Sequence, residues 1–226
     1  MCTLQKRGNL FILTLTGADE HRLNPTLLNA IQSALRRVRA EATASSALIT
    51  TAHGKYFCNG FDLAWAQSLE DRMVLMDSML RSVISDLISL PMPTIAAVTG
   101  HASGAGYILA LSHDYILMRS DRGFLYMSEL NIKLVIAAWF IALVEAKIGS
   151  PAARREVVMT AAKEALKLGI IDSAHNSAEQ TVQAAMLLGE DLVKRGWAGH
   201  VYGENRKQLL GRVLDTIGEI STVSRL

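Results

Sequence analysis

The chain has 226 residues, half of them hydrophobic and 19% charged, a composition that buries a sizeable core and excludes a disordered or low-complexity chain. Its 23 basic and 21 acidic residues are scattered and leave a formal charge of +2; no basic stripe tracks a nucleic-acid backbone, although mild basicity suits an anionic small molecule. Two cysteines, Cys2 and Cys58, are too few for a disulfide framework and fit a reducing compartment, with neither a pairing nor a metal implied.

In chain order, the run NLFILTLTG from Asn9 reads as a strand. Lys6 and Arg7 precede it as in a secretory signal, but the apolar stretch is short and closes on Gly17, Asp19 and Glu20, which favours a strand and turn. Asn24 is placed to cap a helix with Pro25 at its first position and Leu27, Leu28, Ile31, Leu35 and Val38 along one face. SALITTA reads as a second strand and HGKYFCNGFD as a loop. Apolar spacing predicts a helix from about Leu69 to Leu90, with Met73, Met76, Leu80, Ile84 and Leu87 facing the core, stopped by Pro91 and Pro93.

TIAAVTG then reads as a buried strand, TGHASGAGYI (99–108) as a glycine loop, YILALSHD as the start of a helix and YILMRS as another strand. Mostly helices follow, including Ala178 to Arg195 and Tyr202 to Ile220. The expected fold is α/β with a helical C-terminal part, divided into a core over 1–175 and a helical region over 176–226. No stretch is long and uncharged enough to span a bilayer, so no membrane insertion is expected.

Glycine loops serve several chemistries, and the spacing tests them. After Gly104 and Gly106, Leu109 stands where a dinucleotide fingerprint needs its third glycine. The one Gly-Lys pair, Gly54-Lys55, is followed by Tyr56, which fails a P-loop. Ser103 lies one residue out of place for a nucleophile elbow. Two readings remain open: tight turns, or backbone N–H groups exposed at a helix start, where negative charge is favoured. An oxyanion site takes two donors, and CNGFDL (58–63) is a second glycine-bearing loop after a strand.

GKYFCNGFDL, followed by PMPTIAAVTGHASGAGYILALSHDYILM, resembles the crotonase (enoyl-CoA hydratase/isomerase) superfamily, and FCNGFDLAWAQ with LSHDYILMRSDRGFLYMSEL resembles its plant peroxisomal 3-enoyl-CoA isomerases. The resemblance spans about Leu10 to Asp172. It implies a spiral of ββα units in which the backbone N–H groups of Phe61 and Ala105 bind a thioester carbonyl. Gly60, Phe61, Asp62, Leu63, Ala105 and Ile108 would line a fatty acyl-CoA site. It also implies trimers or pairs of trimers, and no cofactor beyond the coenzyme A carried by the substrate.

Hydratases of the family use two glutamates. By the resemblance the first position is Ile108 here and the second is kept as Glu129. One carboxylate can take a proton from C2 of a 3-enoyl thioester and return it at C4, whereas orienting water takes more, so an isomerase is expected. Ile108, Leu130 and Ile132 are the apolar neighbours expected to raise the Glu129 pKa. Asp62 is a weaker candidate base, Cys58 reads as a small buried thiol, and the six histidines show no metal-ligand spacing.

Two departures from the family pattern motivate a rival: no proline follows Glu129 in LNIKLVIAAWF, and VVMTAAKEALKLGIIDSA around Thr160 is short. The rival is a non-catalytic acyl-CoA-binding or scaffold member. A serine-dependent thioester hydrolase using Ser103 is the third reading. Finally, Ser224-Arg225-Leu226 matches the small–basic–leucine form of a peroxisomal address read by an import receptor, so a peroxisomal location is expected.

Overall fold

The structure, a computed structural model, describes residues 1–17, 20–43, 45–127, 129, 134–156 and 160–219. It opens with a hairpin, β1 (Cys2–Arg7) against β2 (Leu10–Leu15). Helix α1 (Pro25–Glu41) follows, with Asn24 as its N-cap: the Asn24 side chain accepts from Leu27 N at 3.0 Å. Strands β3 (Ala47–Ala52) and β4 (Tyr56–Cys58) lead to the short α2 (Leu63–Ala66) and the long α3 (Glu70–Ile88). The pattern repeats with β5 (Thr94–Val98), β6 (His101–Ser103) and α4 (Ala105–Leu111), and again with β7 (Tyr115–Arg119), β8 (Phe124–Tyr126) and α5 (Ala138–Lys147). The chain continues through α6 (Pro151–Arg155), β9 (Thr160–Ala161), α7 (Ala162–Lys167), β10 (Ser173–His175), α8 (Ala178–Lys194), α9 (Gly199–Leu209) and α10 (Gly211–Gly218).

Each ββα unit gives one strand to each of two sheets. The larger has the order β1-β2-β3-β5-β7-β10 and is parallel from β2 onward; the smaller has the order β4-β6-β8-β9. The chain therefore winds as a spiral, and both loops that follow β4 and β6 come to one end of the smaller sheet. Helix α4 runs through the centre with all seven residues buried, against α1, α3 and α5 side chains in one core. The methionine stripe belongs to that core, with Met76 fully buried and Met73 nearly so.

Several expectations change. Tyr202 to Ile220 is not one helix: the chain breaks at Leu210 (φ −106°, ψ 19°) into α9 and α10, and Ile220 lies outside the described residues. Leu210 at the break and Val213 just beyond it both join the core. β1 was not expected, because its side chains are mostly exposed and give no apolar signal. The two glycine loops each hold a three-residue strand, and α4 starts at Ala105, ahead of Tyr107.

Candidate active site

The loop after β4 is held by Leu23. Leu23 N donates to Gly60 O at 2.7 Å and Asp62 N donates to Leu23 O at 3.0 Å, a parallel bridge centred on Phe61. In such a ladder alternate residues face opposite edges, so with 60 and 62 bonded to Leu23 the Phe61 N–H points away from it. Gly60 has φ +72°, and a methyl group there would meet Ser103 O at 2.9 Å and Ala105 N at 3.6 Å. The second loop is as close at Gly106, where a methyl would lie 2.2 Å from Cys58 O. Glycine at both positions lets the loops touch backbone to backbone.

These contacts leave two N–H groups over. Neither Phe61 N–H nor Ala105 N–H has an acceptor among the described residues, while the neighbouring Gly104 N–H is spent on Tyr126 O at 2.9 Å. Both residues line a cavity of about 290 Å³ together with Gly60, Leu63, Ser103, Gly104 and Glu129, closed by Arg22, Asn59, Tyr126 and Leu134.

Glu129 follows β8 and is only 8% exposed. Its backbone carbonyl accepts from Leu134 N at 2.9 Å. The buried Oε2 has no hydrogen-bond partner. Desolvation pushes its carboxyl above the ordinary glutamate range, with a backbone N–H opposing the shift. Glu129 is the one carboxylate among the described lining residues. A group in this state can exchange a proton with something placed in the cavity, facing donors that can stabilise negative charge.

Other candidates fall elsewhere. Asp62 caps α2 by accepting from Trp65 N at 3.0 Å, takes a hydrogen bond from Asn24 Nδ2 at 3.1 Å, and faces a separate recess with His21 and Asn24. Ile108 is fully buried in the core and is absent from the cavity lining. Leu130 and Ile132, expected beside Glu129, lie outside the described residues, as do Ser224, Arg225 and Leu226. Ser103 lines the cavity, but no histidine does among the described residues. Cys58 is fully buried, donates to His21 O at 3.1 Å, and has its thiol pushed up to about 12 by burial. Arg22, Tyr126 and Leu134 were not read as site residues; their convergence depends on tertiary contacts. A larger groove of about 750 Å³ lies between α8 and the β1–β3 face, yet the carboxylate on its lining, Glu179, is exposed.

A spiral of ββα units whose two glycine loops meet beside a buried carboxylate defines a crotonase-fold protein. The model of the family described as enoyl-CoA hydratase/isomerase matches residues 8–201, and the chain belongs to that family. It is 60% identical to the enoyl-CoA delta isomerase 1, peroxisomal, of Arabidopsis thaliana, over 99% of this chain and 96% of the relative. It is 50% identical to the enoyl-CoA delta isomerase 2, peroxisomal, of the same plant, over 96% and 95%. Among solved structures, a probable enoyl-CoA hydratase from Mycobacterium tuberculosis superposes with a TM-score of 0.87 at 20% identity, covering 96% of this chain and 91% of the other.

Proposed function

We propose that the protein isomerises 3-enoyl-CoA to trans-2-enoyl-CoA, with Glu129 as the one acid/base. Glu129 would remove a proton from C2, the Phe61 and Ala105 N–H groups would hold the thioester oxygen as the enolate forms, and the same carboxyl would return the proton at C4. The observation that carries this reading is the unpartnered, buried Oε2 of Glu129 in a cavity that also holds two unpaired backbone donors. Each donor aimed at developing charge is worth roughly 3–4 kcal/mol. The high identity to proteins named enoyl-CoA delta isomerases supports the same reaction, and their names support a peroxisomal location.

The substrate is then a fatty acyl-CoA thioester, with no cofactor beyond its own coenzyme A. The cavity lining supports one carboxylate over a hydratase pair, and no histidine lines it beside Ser103 among the described residues, so the hydrolase reading lacks a histidine base there. Titration with a non-isomerisable acyl-CoA by calorimetry, run beside an isomerase assay and a free-thiol assay, separates the readings. Binding with turnover to 2-enoyl-CoA supports this one. Binding without turnover on any chain length marks a scaffold member, and release of free coenzyme A marks a hydrolase. For location, a fluorescent fusion at the N-terminus gives punctate peroxisomal signal that deletion of Ser224 to Leu226 makes cytosolic; puncta surviving the deletion would count against that address.

A further inference from the structure

One amide links the two segments that aim the first donor. Asn24 Oδ1 accepts from Leu27 N at 3.0 Å and so caps α1, while Asn24 Nδ2 donates to Asp62 Oδ2 at 3.1 Å. The other oxygen of Asp62, Oδ1, accepts from Trp65 N at 3.0 Å and caps α2. Two helix starts are therefore joined through a single side-chain hydrogen bond, and every polar atom of the pair has a task. Between them lies the bridge in which Leu23 holds the Gly60 carbonyl and the Asp62 N–H. Leu23 directly precedes Asn24 and Phe61 directly precedes Asp62, so the Asn24–Asp62 bond ties the two strands together one residue beyond the bridge partners Leu23 and Phe61. Leu23 is fully buried, which leaves that side of the bridge no room to drift.

We propose that the Asn24–Asp62 hydrogen bond is a positioning device for catalysis: it fixes the direction of the Phe61 N–H toward the forming enolate oxygen. The inference rests on the reading of Phe61 as an oxyanion donor. Asn24 and Asp62 touch no substrate in this account and act through the peptide between them. Capping α1 needs only an acceptor at residue 24, and capping α2 needs only an acceptor at residue 62. Neither helix needs the bond between the two side chains, and that bond spans 38 residues of sequence. Its loss leaves the Leu23 bridge alone to hold the 60–62 peptides, and the worth of an oxyanion donor falls steeply with even a small misalignment.

Asn24→Asp isolates the bond. Aspartate caps a helix as well as asparagine does, so α1 keeps its cap, but two carboxylates now face each other where a donor met an acceptor. The expected result is a kcat for 3-enoyl-CoA reduced about 10- to 100-fold with KM changed less than about threefold, a fraction of the roughly 10²–10³-fold attached to removing a whole donor. The unfolding temperature should stay within about 4 °C of wild type. The exchange Asn24→Asp/Asp62→Asn rebuilds the bond in reverse, with an amide at 62 donating to a carboxylate at 24, and should restore kcat to within about threefold. If Asn24→Asp does not fold, Asp62→Asn alone, which sets one amide NH₂ against another while keeping the α2 cap, is expected to show the same loss of kcat.

A spectroscopic readout separates this inference from the reading beneath it. With trans-2-enoyl-CoA labelled by ¹³C at the thioester carbonyl and bound to wild type, the carbonyl stretch should move to lower frequency than in water. Asn24→Asp should give back part of that shift, and the exchange variant should recover it. A wild-type kcat and a full carbonyl shift in Asn24→Asp would overturn the positioning role while leaving the oxyanion reading intact. So would a loss that the exchange does not rescue, or one that falls on KM alone. No carbonyl shift in the wild type itself would overturn the oxyanion reading, and the positioning role with it.

Discussion

Glu129→Gln should lower activity and raise stability together. Glutamine matches the size and keeps a carbonyl acceptor, so the cavity survives, but the base is gone. General-base transfer is worth up to about 10⁴-fold, about 5.5 kcal/mol of barrier, and in the proposed reaction one carboxyl serves both proton steps, so turnover should fall by at least that factor. In the resting protein the same carboxylate is a liability: Glu129 is 8% exposed and its Oε2 has no partner. A buried polar group left unsatisfied costs about 1–3 kcal/mol, and the neutral amide escapes the charged part of that cost. In a chain of this size each kcal/mol moves the unfolding temperature by about 2–4 °C. The sign with pH follows from the raised carboxyl. Between the unfolded and the folded pKa the native state holds the extra proton, so wild-type stability falls as pH rises through that window and stays low above it. The gain in Glu129→Gln should therefore be largest near pH 7 and vanish below the ordinary glutamate pKa. Calorimetric unfolding at several pH values, beside the isomerase assay, reads both effects. Undiminished turnover, or a variant less stable than wild type at pH 7, would refute the reasoning.

Gly106→Ala should abolish folding or cost more than about 3 kcal/mol by denaturant titration, since its methyl would lie 2.2 Å from Cys58 O, a backbone atom with nowhere to move. Native protein at pH 8 should take up one equivalent of a thiol reagent, at the half-buried Cys2, and two only when unfolded, because Cys58 is fully buried with its thiol held up near about 12. His113 is buried between Leu109 O at 2.9 Å and Thr50 Oγ1 at 2.8 Å, with its pKa lowered by burial from 6.5 to about 4. The unfolded chain binds the extra proton between those values, so stability rises with pH across that window; His113→Gln should lose less stability on acidification, by about 3 kcal/mol.

What the sequence disclosed depended on whether the signal was local. Helix α1 was legible because Asn24, Pro25 and a clean apolar face sit within a few turns, and α3 because two prolines close it. Strands β4 and β6 were not, since three residues give no alternation and both lie in glycine-rich runs that read as loops. The break at Leu210 was hidden because apolar spacing continues across it. The loops of the site were visible through the resemblance, as was Glu129, but their meeting rests on close approach at Gly60 and Gly106, which spacing does not encode. Arg22, Tyr126 and Leu134 reach the cavity from distant elements and carry no motif. Asp62 stands inside the most specific stretch of sequence and serves to hold two helix starts together.

In the proposed reaction one carboxyl moves one proton from C2 to C4. The direct measurement uses 3-enoyl-CoA carrying two deuterons at C2, converted under single-turnover conditions in ordinary water, with the product read by NMR and mass spectrometry. Burial of Glu129 slows exchange of the captured deuteron, so part of the trans-2-enoyl-CoA formed should carry deuterium at C4. A product whose C4 hydrogen comes from solvent in every molecule, or one that has added water at C3, would contradict it.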